Sequence, residues 1–121
     1  MTPVREYADY LLDISDAIGK IEDFTRDMTV EQFVADVKSA YAVIRALEII
    51  GEAAKNIPSA VKDKFPELPW REMAGMRDKL SHEYFGVDLH VVWKTVKEDL
   101  PKLKVNLKPV IDFEKTQMSG M

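Results

Sequence analysis

The sequence predicts an all-α chain, an up-and-down four-helix bundle with a short extra helix between the second and third main helices. Three observations carry that expectation. Apolar residues recur at spacings of three and four through most of the 121 residues. No stretch alternates apolar and polar residues with period two, and no Asn-Gly or Asp-Gly pair marks a hairpin. Capping residues and a proline-rich break cut the apolar pattern into helix-sized pieces.

From Val4 to Thr25, the residues Tyr7, Tyr10, Leu11, Ile14, Ile18, Ile21 and Phe24 share one helical face, and the helix should close near 26–28. Thr29 is the next start signal, with Gln32 three residues on completing a capping box. The second helix is expected to run without a break to about Asn56. Val30, Phe33, Val34, Val37, Tyr41, Ile44 and Leu47 form one apolar stripe on it, and Val43, Ile50, Ala54 and Ile57 an offset one. Two stripes call for two neighbours, and Gly51 beside Ala53 and Ala54 would let one of them approach closely.

Pro58, Pro66 and Pro69 rule out one regular helix across 56–70. Ser59 should cap a short helix through Phe65. A third main helix over 70–84 turns Trp70, Met73, Leu80 and Tyr84 inward. Gly86 suits a helix C-terminus and Asp88 an N-cap. The fourth, from Leu89 to about Leu107, buries Leu89, Val92, Trp93, Val96, Leu100 and Leu103, with a bend at Pro101. Beyond Pro109, Ile111 and Phe113 are expected to dock. Residues 1–115 thus form one helical domain and 116–121 a disordered tail.

Composition narrows the function. Seventeen Lys and Arg against twenty-one Asp and Glu give a net charge of -4, which excludes a broad basic coat for nucleic acid but not a local basic cleft. With no cysteine there is no disulfide, thiolate nucleophile or cysteine-ligated metal. His82 and His90 are the two histidines and form no paired metal motif, so the expectation is no metal and no cofactor. The N-terminal stretch carries acidic residues inside its apolar repeat. It is neither a signal peptide nor a membrane span, and the expected location is cytoplasmic.

Chemically capable residues concentrate between Arg77 and Tyr84. On a helix Asp78 and His82, four apart, share a face, whereas Arg77 and His82 stand about 140° apart. A second copy of the chain, related by a two-fold axis, would bring both types into one cleft. An arginine and a histidine suit metal-independent cleavage of RNA by its own 2′-hydroxyl: the imidazole exchanges protons near neutral pH and the guanidinium holds the phosphate. By residue type alone, blander readings stand beside this one. His82 can be a residue stabilised at a helix end, Arg77 a partner for Glu72 or Glu52, and Tyr84 a core aromatic. A non-catalytic, nucleotide-binding or nucleotidyltransferase-partner module is the alternative reading, and a structural oligomerisation module a third.

The order Arg77, four residues, His82, one residue, Tyr84 resembles the signature of the HEPN superfamily and, with its tyrosine, the HepT-like toxin branch. Further blocks resemble the same branch: Arg45 to Asn56, Pro69 to Met76, Tyr84 to Asp88, and Val92-Trp93. The resemblance spans the first helix to about Leu103. It implies a type VII toxin of a toxin-antitoxin pair, an endoribonuclease with Arg77 and His82 catalytic at a homodimer interface and Asp78 and Ser81 in support. Tyr84 matches the tyrosine to which, in this branch, an MntA-like nucleotidyltransferase antitoxin transfers AMP. Asp78 is one of the commoner residues at its motif position.

Overall fold

The computed structural model describes residues 6–75 and 88–119, with side chains to residue 116, and these are all-α, with no strand among them. The elements are α1 (Tyr7–Thr25), α2 (Val30–Ala35), α3 (Val37–Lys55), α4 (Ser59–Lys64), α5 (70–75), α6 (Leu89–Lys94), a π-helical turn (Thr95–Asp99) and α7 (Leu100–Ser119).

Helix α1 buries Leu11, Ile14, Ala17, Ile18 and Ile21 as its spacing requires. At its end the inward position falls to Thr25, not Phe24: Thr25 is 1% exposed and donates from Oγ1 to the Ile21 carbonyl at 2.8 Å, while Phe24 is 42% exposed. A hydroxyl satisfied by its own helix can sit in the core, which frees the chain to turn outward. The turn uses Asp27 at φ 62°, a left-handed conformation that aspartate tolerates better than bulkier residues.

Thr29 then opens α2 with the full capping box: its Oγ1 accepts from Gln32 N at 3.2 Å, and Gln32 Oε1 accepts from Thr29 N at 2.9 Å. The single long second helix does not form. Asp36 leaves helical geometry at φ −101°, ψ 91°, and its carboxylate accepts from Ser39 N at 3.2 Å and Ser39 Oγ at 2.8 Å, starting α3 afresh. The restart leaves two of the expected inward positions in solvent. Val37 and Tyr41, expected to continue the stripe of Val30 and Val34, are 64% and 51% exposed. Ala40 turns inward, while Ile44 and Leu47 of the same stripe and Val43, Ile50 and Ala54 of the offset one are buried as expected.

Helix α3 returns along α1, so that Tyr10 and Asp13 near the start of one lie beside Glu52 and Ala53 near the end of the other. This is the most extensive contact between elements. Helix α7 also runs antiparallel to α1. Lys104 Nζ meets Glu22 Oε1 at 3.1 Å, and at the other end partial burial, with the Glu114 carboxylate adding to it, pushes the Tyr7 hydroxyl above its ordinary pKa.

Prolines shape the rest. Pro58, not Ser59, occupies the N-cap position of α4, without a side-chain cap. Pro101 lacks an N–H and its ring crowds the carbonyl four residues back. The helix accommodates this by widening into the π turn Thr95–Asp99 immediately before α7. The expected end near Leu107 is not observed: α7 continues through Pro109 to Ser119, with Pro109 exposed and Val110 fully buried. Among the described residues no helix is long and apolar enough to cross a membrane.

Candidate functional site

Arg77, Asp78, Ser81, His82 and Tyr84 all fall within 76–87 and so lie outside the described residues, as do Leu80 and Gly86. What the structure describes is how both flanks of that twelve-residue segment are anchored.

On the N-terminal flank, Pro66 and Pro69 stiffen the connector into α5. The Trp70 indole N–H donates to the Phe65 carbonyl at 2.9 Å, and Met73 N donates to the Pro69 carbonyl at 2.9 Å. Trp70 and Met73 are 8% and 3% exposed, so the inward face expected for this helix is present up to residue 75. Phe65 is held in turn by α7. Its ring meets Phe113 edge-on at 5.5 Å, and Lys64 Nζ stands 4.8 Å over the Phe113 ring. The far end of α7 therefore braces the connector that leads into the motif. The apolar spacing of Ile111 and Phe113 foretold docking, but nothing in the sequence pointed to Phe65 as the seat.

On the C-terminal flank, Asp88 caps α6 as expected, accepting from His90 N at 2.9 Å. Val92 is buried, and the Trp93 ring packs on Phe33 of α2 at 5.3 Å. Lys97 Nζ sits 4.6 Å over the other part of this aromatic anchor, the Trp93 ring. His90 is exposed at the surface, 3.7 Å from Asp88 through Nδ1. Among the described residues no group of His, Asp and Glu is arranged to hold a metal ion. Arg71 and Glu72 are exposed on α5, on the approach to the motif.

Two tryptophans thus anchor the described flanks of the motif segment: Trp70 through the α4 connector and α7, Trp93 through α2. An all-α fold with an arginine-histidine-tyrosine motif between two such anchors defines a HEPN-like protein. The ribonuclease HepT-like family profile matches residues 14–110, and the chain belongs to that family. It is 64% identical over 100 residues to the "Probable ribonuclease HepT" of Thermococcus cleftensis, covering 83% of this chain and 91% of that protein. A "Putative RNase" of Methanocaldococcus jannaschii is 46% identical over 109 residues, covering 90% of this chain and 94% of its own length. Another, from Caldanaerobacter subterraneus, is 44% identical over 90 residues, covering 74% and 80%. No solved structure matches the chain significantly.

Proposed function

We propose that this chain is a metal-independent endoribonuclease acting in the cytoplasm as the toxin of a type VII toxin-antitoxin pair. The observation that carries the reading is the family match, whose span of residues 14–110 encloses the whole motif from Arg77 to Tyr84. Its relatives are named ribonucleases.

In this reading two chains pair about a two-fold axis and bring Arg77 and His82 of both copies into one cleft. His82 takes the proton of the RNA 2′-hydroxyl, whose oxygen forms a bond to phosphorus. The bond from phosphorus to the 5′-oxygen breaks, and the leaving oxygen receives a proton, supplied by the second His82. The products are a 2′,3′-cyclic phosphate and a 5′-hydroxyl. Arg77 holds the phosphate and stabilises the charge that develops on it. Asp78, four residues before His82, orients it, and Ser81 supports the pair alongside Arg77. The MntA-like antitoxin transfers AMP from ATP to the Tyr84 hydroxyl with loss of pyrophosphate, and the added charge and bulk bar an RNA phosphate.

Purified protein should cleave RNA in EDTA, and Arg77→Ala or His82→Ala should each lower the rate by about 10²-fold or more. Undiminished cleavage by both variants overturns the assignment. Coexpression with the nucleotidyltransferase should raise the intact mass by whole AMP units in the wild type but not in Tyr84→Phe. An unmodified wild type in that experiment removes Tyr84 from the mechanism.

A further inference from the structure

The seam between α1 and α7 is an open groove. Two clefts of about 330 and 480 Å³ share Ile18 and Glu22 and run into each other along it. The α1 wall is low because Ser15 and Gly19 stand there, and a Cβ added at Gly19 would meet nothing within 4 Å. The α7 wall is a row of lysines: Lys104, Lys108 and Lys115, continued by Lys97 in the second cleft. At about 100° and 1.5 Å per residue, Lys104, Lys108 and Lys115 fall within about 40° of one another and cover about 16 Å of helix.

Charge distinguishes this wall from the rest of the molecule. The chain carries a net charge of -4, yet α7 from Leu100 to Ser119 holds four lysines, three of them on the groove, against the two carboxylates Asp112 and Glu114. Glu22 engages Lys104, and the other carboxylates on the groove are Asp112 in one cleft and Asp27, with Arg26, in the other. Lys108 and Lys115 make no ion pair among the described residues.

The floor shows what kind of ligand fits. Ile18 and Leu107 are each 2% exposed, and none of the exposed large apolar residues, such as Phe24, Val37 or Val105, lines the groove. Ile111 is half-buried there, and the apolar surface the groove leaves open is far less than a docked helix face needs. What the groove offers is spaced positive charge above a sealed floor, which is the complement of a phosphodiester backbone.

We propose that the α1–α7 groove binds the RNA backbone outside the cleavage site, with Lys108 and Lys115, helped by Lys97 and Lys104, engaging successive phosphates. The inference rests on the ribonuclease reading for the identity of the polyanion. It makes the groove an affinity element, acting on RNA binding and not on the chemical step.

The test uses the full chain and a fluorescent single-stranded 2′-O-methyl oligoribonucleotide, which binds but lacks the nucleophilic hydroxyl. Lys108→Gln with Lys115→Gln should weaken binding roughly tenfold at moderate salt and lower the slope of log affinity against log salt by about 1.4, the value for two phosphate contacts to a single strand. On ordinary RNA the same variant should raise KM and leave kcat unchanged. Lys94→Gln with Lys102→Gln removes equal charge away from the groove and should bind nearly as the wild type does. Equal weakening by both pairs, or none by the groove pair, overturns the proposal. So does a groove variant that binds RNA normally but no longer binds the antitoxin protein. If the wild type leaves ordinary RNA uncut while the groove pair alone weakens oligonucleotide binding, the catalytic reading falls and the groove stands.

Discussion

Along α1 the two neighbouring seams differ in kind. On the α3 side, small residues meet branched ones: Ala17 of α1 and Ala46, Gly51, Ala53 and Ala54 of α3 are buried together with Ile14, Val43, Leu47 and Ile50. Short side chains let the two backbones approach, and the branched ones fill what remains. On the α7 side the small residues Ser15 and Gly19 face a groove that nothing fills, crossed at the surface by the Glu22–Lys104 pair. That pair is 44% and 60% exposed, so it contributes little to stability. Small residues therefore mean opposite things on one helix. Whether they close a seam or open it depends on what the facing helix presents, aliphatic side chains from α3 or long lysines from α7.

The largest effect expected from this difference is on the closed side. Ile14 is fully buried, and Ile14→Ala should cost about 2–5 kcal/mol, the loss of buried methylenes together with a cavity that a tightly packed seam cannot collapse. Urea unfolding of wild type and variant measures it. A loss below about 1 kcal/mol would mean that the α1–α3 seam relaxes easily, and the contrast with α7 would lose its basis.

The open side predicts a gain. With nothing within 4 Å of a Cβ at Gly19 and that residue inside α1, Gly19→Ala should stabilise the fold by about 0.5–1 kcal/mol through helix propensity and a less disordered unfolded chain. The same unfolding experiment reports it, and a destabilised variant would show that α7 closes over this position.

The two seams also mark how far the sequence can be read. Two caps were legible: Thr29 with Gln32, and Asp88 with the amides that follow it, are formed as their spacing requires, whereas at α4 Pro58 takes the N-cap position expected of Ser59. Trp70 and Met73 face inward as predicted. The break at Asp36 was missed because an acidic residue within an amphipathic repeat looks like any solvated position, and the signal was Ser39 three residues on. That omission carried Val37 and Tyr41 to the wrong side, whereas Ile44 and Leu47 farther along the same stripe are buried as expected. Pro109 misled in the other direction. A proline on the water-facing side leaves its freed carbonyl to solvent, so α7 continues. For the candidate site, residue order identified the family, while the braces at Phe65 and Trp93 depend on chain-distant contacts that no local pattern encodes.

Asp36 carries the smallest expected effect and bears on why α3 presents its small residues to α1. The Ser39 hydroxyl and amide, both donating to its carboxylate, hold its pKa below the ordinary value of 3.8. A group whose folded pKa is depressed contributes stability above its unfolded pKa, and that contribution is lost as pH falls through the folded value. Asp36→Asn keeps an oxygen for the Ser39 amide but removes the charge, so it should be slightly less stable than the wild type at neutral pH. Thermal unfolding should show that difference shrinking as the pH falls below 3.8, until the protonated wild type and the variant melt together. A difference that persists unchanged in acid would mean that the charge is not what restarts α3, and that the phase of its inward face is set by packing against α1 alone.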